Sequence, residues 1–246
     1  MDDLFSRTRM LLGQAAMATL AGSRVAVFGV GGVGGYVVEV LARSGVGHLD
    51  LFDNDTVAPS NINRQIIALT TNIGRLKVDV AAERVAAINP ACHVECRPMF
   101  YLPGNADEVD LSAYDYVADC IDTVTAKMEL IRRCNALGVP LICSMGAGNK
   151  LDPTAFRVCD ITATRNDPLA RTLRKQLRRE GIRHFKVVCS TELPLQPLEP
   201  IGEGKPIPAS NAFVPAAAGL AMGGAIVTDL LHRAGTLRPD AAPKTE

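Results

Sequence analysis

Arg24-Val25-Ala26-Val27-Phe28-Gly29-Val30-Gly31-Gly32-Val33-Gly34 decides the fold of this 246-residue chain. A short β-rich run ends in a glycine cluster, and Val33 to Arg43 continues at helical spacing. Glycine lets the backbone turn sharply and approach phosphate oxygens. The helix that opens next offers free N–H groups and a partial positive charge. A second apolar run, His48 to Asp53, ends in an acid about twenty residues on, where ribose hydroxyls would be held. The glycine pattern alone is a weak signal; its strand–turn–helix setting and the following acid make it a nucleotide site. It does not decide which nucleotide.

The same alternation extends outward. Lys77 to Ile88 reads as a helix stopped by Asn89-Pro90, and His93 to Arg97 as a third strand. Tyr114 to Ile121, Lys127 to Ala136 and Val139 to Cys143 read as strand, helix and strand. Residues 4–21 read as helical before the first strand, and 54–73 as irregular. This predicts an α/β fold of Rossmann type, a doubly wound and mostly parallel sheet. After Gly148 the rhythm changes. Ala155 to Asp160 and Phe185 to Ser190 read as strands flanking a helix capped by Asp167 with Pro168 at its first position. Residues 192–208 read as an exposed loop, and Val214 to Arg233 contains a final helix. The division expected is a core over 1–150, a smaller C-terminal extension over 151–235 able to add antiparallel strands, and an unordered tail over 236–246.

Bulk properties bound the function. Hydrophobic residues make up 48% of the chain, enough for a substantial core, and the formal net charge of zero gives no global pull toward nucleic acid or membrane. The seven cysteines are scattered without a C-x-x-C pair, which points to free thiols in a reducing compartment. The acidic start, Met1-Asp2-Asp3, leads no apolar signal segment, and Ala212 to Val227 is broken by Pro215 and glycines. The expectation is a soluble cytoplasmic protein with no membrane partner.

What separates ATP from NAD is Asp53-Asn54-Asp55-Thr56-Val57-Ala58-Pro59-Ser60-Asn61-Ile62-Asn63-Arg64-Gln65. A dehydrogenase normally runs from its ribose acid into the next helix. Here a polar segment leads to Arg64, then Lys77, then Asp119-Cys120-Ile121-Asp122 at the end of the fourth strand. Two cations suit a triphosphate, and a strand-end carboxylate suits Mg²⁺. These blocks resemble, in order, those of the ThiF/MoeB/HesA superfamily of ubiquitin-activating enzymes and bacterial sulfur-carrier adenylyltransferases. The resemblance implies a carboxylate-adenylating enzyme. Gly29, Gly31, Gly32 and Gly34 would cradle the phosphates and Asp53 the ribose. Asn61, Arg64 and Lys77 would contact the phosphates, and Asp122 would hold Mg²⁺ as the leading catalytic residue beside Arg64 and Lys77. It also implies a homodimer in which Arg9 reaches the phosphates of the other subunit. The plainer readings are a surface ion pair for Arg64, a solvated Lys77, a helix N-cap for Asp122 and an ordinary surface cation at Arg9.

Further along, Met145 to Thr154, Asp167-Pro168-Leu169-Ala170, an arginine-rich helix, Ser190-Thr191-Glu192 and Ser210 to Leu220 resemble the tRNA threonylcarbamoyladenosine dehydratase branch. That branch implies ATP-dependent activation of the threonyl carboxylate and ring closure on tRNA. The alternative is activation of the C-terminus of a ubiquitin-like sulfur carrier, with a sulfur-transfer or carrier protein as partner. An NAD-dependent oxidoreductase or nucleotide sensor fits poorly with Arg64, Lys77 and Asp122 in this order. On the basic helix, Arg171, Arg174, Lys175 and Arg178 share a face at three- and four-residue spacing, suited to an RNA backbone. The plainer reading is a solvated face opposite Leu169, Leu173 and Leu177. Cys189 reads as a buried structural thiol, and Ser190-Thr191-Glu192 as a candidate pocket lining.

Overall fold

A computed structural model describes residues 3–199 and 207–241. Its sheet has seven strands in the order β3-β2-β1-β4-β5-β7-β6. In chain order they are β1 (Arg24–Phe28), β2 (His48–Phe52), β3 (His93–Arg97), β4 (Tyr116–Asp119), β5 (Leu141–Ser144), β6 (Phe156–Asp160) and β7 (Lys186–Ser190). All neighbours are parallel except the edge pair β6–β7. β1 lies centrally, and Val25, Ala26, Val27 and Phe28 are all fully buried. Alternation puts Val25 and Val27 in one core cluster and Ala26 and Phe28 in another, as a strand covered on both faces requires.

Helices cover those faces. α3 (Gly34–Ser44), α4 (Lys77–Ile88) and α7 (Val214–Arg233) pack on one side, and α5 (Val124–Leu137) and α6 (Pro168–Leu177) on the other. α7 docks close to α3 through glycine. A Cβ on Gly219 would stand 2.4 Å from the Val33 carbonyl oxygen, and one on Gly223 2.7 Å from Val40 Cβ. Among the described residues α7 is the one helix long and apolar enough to cross a membrane, and 56% of that window is buried in the fold.

The stretch after Gly148 completes the sheet, since β7 pairs in parallel with β5 across Ile142–Ser144. The expected N-terminal helix is split at Gly13 (φ 88°) into α1 (Ser6–Leu12) and α2 (Gln14–Gly22). β4 is shorter than expected because Cys120 and Ile121 leave the sheet, and the Asp119 carboxylate accepts the Ile121 N–H at 3.1 Å. The stretch from Thr236, expected to lack order, is instead tied to the N-terminal helices. The Thr19 and Thr236 hydroxyls are 3.0 Å apart, and Arg238 donates to the Leu11 carbonyl at 3.1 Å. Residues 242–246, like 200–206 of the expected exposed loop, lie outside the described residues.

The β1–α3 junction depends on Gly34, where a Cβ would stand 1.8 Å from the Gly29 carbonyl oxygen. Gly34→Ala is therefore expected to cost about 1–3 kcal/mol or more as overpacking that backbone cannot relieve. Urea unfolding checks this, and an unchanged midpoint would remove the junction's role.

Candidate active site

A cleft of about 560 Å³ opens at the carboxyl ends of β1, β2, β4 and β5. Here the strand order reverses between β1 and β4, where open α/β sheets bind ligands. One end is apolar, formed by Phe28, Phe52, Met99, Phe100 and Tyr101. Phe28 and Phe52 stack at 4.1 Å, with Tyr101 edge-on to Phe28 at 5.0 Å. The middle carries the glycine turn and the charged residues. The far end is built by Ser144–Gly148, Leu169 and Pro208.

Gly29 turns at φ 88°, and a Cβ there would meet the Cys120 carbonyl oxygen at 2.9 Å. Gly31 and Gly32 line the cleft. Gly34 does not: it sits beneath the turn against the Gly29 carbonyl, so its role is packing rather than phosphate contact. Asp53 accepts the Val30 N–H at 2.8 Å and the Asp55 N–H at 2.9 Å, which fixes the turn while leaving each oxygen a further lone pair for a hydroxyl.

Lys77 begins α4 and is buried, not solvated. Its ammonium lies 2.6 Å from Asp55 and 4.0 Å from Asp53. Arg64 donates to the Ser60 carbonyl at 2.8 Å and to Asn63 Oδ1 at 3.0 Å, and it has no carboxylate partner among the described residues. Its charge therefore faces the cleft unneutralised. Asn61 spends its side-chain oxygen on the Ala58 N–H at 3.0 Å, so only its amide donors remain for a ligand. Gln65 also lines the cleft. Its buried Oε1 has no hydrogen-bond partner there. Asp122 is exposed at the cleft, and the N-cap of α5 is Thr123, so the capping alternative for Asp122 falls.

Beneath Asp122, Lys127 and Asp119 form a buried pair at 3.0 Å. Burial pulls the Lys127 ammonium down, and the Asp119 charge more than offsets it, so Lys127 stays protonated. No cluster of three metal-binding side chains exists among the described residues. Mg²⁺ would need Asp122 together with phosphate oxygens, which suits an ion that keeps most of its ligands outside the protein.

Arg9 lies on α1, ion-paired with Asp3, and does not line this chain's own cleft, as a residue expected to serve another subunit need not. Two further expectations are corrected. Arg174 does not extend freely with its neighbours, since its Nη1 bonds the Thr164 carbonyl at 2.9 Å and the Thr164 hydroxyl. Ser190-Thr191-Glu192 does not line the cleft, because Glu192 instead accepts the Leu151 and Asp152 N–H groups, both at 2.9 Å. Cys189 is buried, and burial pushes its thiol up to about 12. The apolar run at Met99–Tyr101 and the Ser144–Gly148 wall were not read as site from sequence. Only their position just after strand ends could have flagged them.

A model of the ThiF family matches residues 5–240. The chain belongs to the ThiF family. Within that family it is 44% identical over 239 residues to the tRNA threonylcarbamoyladenosine dehydratase of Bacillus subtilis, covering 92% of this chain and 94% of the relative. The fold superposes on Escherichia coli TcdA, a tRNA N6-threonylcarbamoyladenosine dehydratase, in its AMP complex with a TM-score of 0.86 and in its ATP complex with 0.84. Both matches show 35% identity and cover 94% of this chain and 95% of the other.

At pH 8 the Cys189 thiol is protonated and enclosed, so iodoacetamide should label it only after unfolding. Because its native pKa lies above the roughly 8.5 of an exposed thiol, its contribution to stability is complete below that value and is lost as pH rises toward 12. Cys189→Ala should flatten that alkaline loss in urea titrations. Rapid labelling of the native protein at pH 8 would contradict the burial.

Proposed function

We propose that this chain is an ATP-dependent tRNA threonylcarbamoyladenosine dehydratase. The observation that carries the reading is the continuity of the cleft. The glycine turn and its charged residues share one cleft with Ser144–Gly148 and with Leu169, the second residue of the basic helix α6, and we take that wall as a second chamber of the cleft. ATP fits the first part. The aromatic end suits adenine, Asp53 the ribose, and the glycine turn with Arg64, Lys77 and the Asn61 amide the phosphates. The threonyl carboxylate would enter from the second chamber. The E. coli and B. subtilis relatives named above support the substrate.

The chemistry then follows. A carboxylate oxygen attacks the α-phosphorus, and pyrophosphate leaves. Arg64 and Lys77 offset the charge that gathers on it, with Lys77 exchanging its Asp55 contact for phosphate. Donors aimed at developing charge in a water-poor cleft are each worth about 10²–10³ in rate. Mg²⁺ held at Asp122 would neutralise phosphate charge in this step. The neighbouring carbamoyl group next attacks the activated carbonyl, AMP leaves and a proton is lost, so the net change is one water. Both reacting groups belong to one nucleoside, which makes closure unimolecular and removes much of the entropic barrier.

Outside the chamber α6 presents Arg171, Lys175 and Arg178, all exposed and without a carboxylate partner among the described residues. They run outward from the cleft along a helix of ten residues, about 15 Å. That is a suitable track for the phosphates flanking a nucleoside held in the chamber. The enzyme would act in the cytoplasm as a homodimer, Arg9 of each protomer serving the cleft of the other. Its pairing with Asp3 is exposed and therefore cheap to exchange.

Incubating the protein with ATP and tRNA carrying threonylcarbamoyladenosine should give, by mass spectrometry of nucleosides, that nucleoside less one water. Unchanged nucleoside with ATP turnover only upon addition of a carrier protein would overturn the reading. Asp122→Asn and Lys77→Ala should each lower kcat/KM by about 10²–10³. The triple change Arg171→Glu, Lys175→Glu, Arg178→Glu should raise KM for tRNA at least about tenfold and flatten its salt dependence, with ATP affinity unchanged by calorimetry.

A further inference from the structure

The far wall of the cleft is held by two buried side chains that the chemistry above does not use. Asp167 is 3% exposed and Lys150 4% exposed. Asp167 Oδ1 accepts the Ala170 N–H at 2.8 Å and so caps α6. Its other oxygen, Oδ2, accepts the Gly146 N–H at 3.0 Å. Lys150 Nζ donates to the Gly146 carbonyl at 2.5 Å and lies 4.0 Å from Asp167 Oδ2. The Gly146 peptide is thus gripped at both ends by a pair of opposite charges. A Cβ on Gly146 would stand 3.2 Å from Asp167 Oδ2, so a side chain there would crowd the carboxylate.

A buried pair of this kind contributes little net stability and is costly to break, so geometric control is its better-supported use. What it controls can be named. Gly146 lies in the chamber wall, and Leu169, in the first turn of α6, lines the same chamber. The next residues of the wall loop are anchored elsewhere. Asn149, at φ 60°, accepts the Ala209 N–H on its Oδ1 at 2.7 Å and the Leu195 N–H on its carbonyl at 2.7 Å. The Lys150 carbonyl accepts from Asn211 Nδ2 at 2.9 Å. Among the described residues, Asp167 supplies the hydrogen bonds that join the wall to the start of the basic helix.

We infer that Asp167 and Lys150 are positioning residues. They lock the Gly146 wall and the N-terminus of α6 into one body, so that an RNA docked along α6 places its reactive carboxylate at a set distance from the bound ATP. This rests on the dehydratase reading. Asp167→Asn separates the two duties of the side chain: the amide oxygen still caps α6, while the amide NH₂ cannot accept from Gly146. Lys150→Met removes the other grip without touching the cap.

The test measures kcat and KM for tRNA, ATP affinity by calorimetry, unfolding midpoint, and amide exchange across residues 144–150. For folded Asp167→Asn and Lys150→Met, ATP affinity should stay within about twofold and KM for tRNA within about threefold. kcat at saturating tRNA should fall at least about tenfold, as a misplacement of the order of 1 Å does. Exchange at 144–150 should accelerate, and Lys150→Arg should recover most of the rate. Loss of ATP affinity in parallel with kcat would mean a general collapse of the cleft and overturn the proposal. So would a native-like kcat in folded Asp167→Asn. Native protein that leaves tRNA unchanged would instead overturn the dehydratase reading. The clamp itself is then decided by the exchange data, native-like protection at 144–150 in both variants disproving it.

Discussion

The structure depends on one close approach, that of the turn after β1 to the backbone around it. Gly34 rests on the Gly29 carbonyl, Gly29 rests on the Cys120 carbonyl, and Asp53 accepts the Val30 N–H. Those contacts join the ends of β1, β2 and β4 at the point where the strand order reverses. They set the start of α3, where the Gly35 N–H is already given to the Gly31 carbonyl at 2.9 Å and the Tyr36 N–H to that of Val33 at 3.0 Å. A Cβ at either glycine would separate the strand ends and open the floor of the nucleotide site.

Charge in the cleft is arranged asymmetrically around that floor. Lys77 is neutralised by Asp55 and held by Asp53, whereas Arg64 is tied only to neutral oxygens. A buried ammonium without an anion would be costly, and Asp55 supplies that anion at 2.6 Å. Arg64 is only half-buried, so its more weakly hydrated guanidinium does without such a partner. The deeper pair Lys127–Asp119 sits under the segment that carries Asp122 and gives that exposed carboxylate a fixed base.

Much of this was legible along the chain, and the misses share a cause. The strands, the cap at Asp167 and the order Asp53, Arg64, Lys77, Asp122 are local or strictly sequential features. The helix break at Gly13 was missed because apolar spacing continues across it while a single φ changes sign. Arg174 was grouped with its neighbours because helical spacing assigns it to their face, yet its long side chain folds back onto Thr164. Glu192 was read as pocket lining because proximity in sequence to Cys189 says nothing of the turn at Leu151–Asp152 that it clasps. Gly34 was counted with the phosphate cradle because the motif does not distinguish glycines that face a ligand from one that faces backbone.

The sequence by itself determined the α/β architecture, the nucleotide site and the charged groups available to it. These follow from hydrophobic period, glycine placement and residue type, all of which act over a few positions. Only the tertiary structure decided which charges are already paired, and that Gly146, Leu169 and Pro208 line the same cleft as the glycine turn. It also decided that one carboxylate, Asp167, ties that cleft wall to the basic helix. Such partnerships form between side chains far apart in the chain, and the sheet order that brings them together is set by packing as a whole.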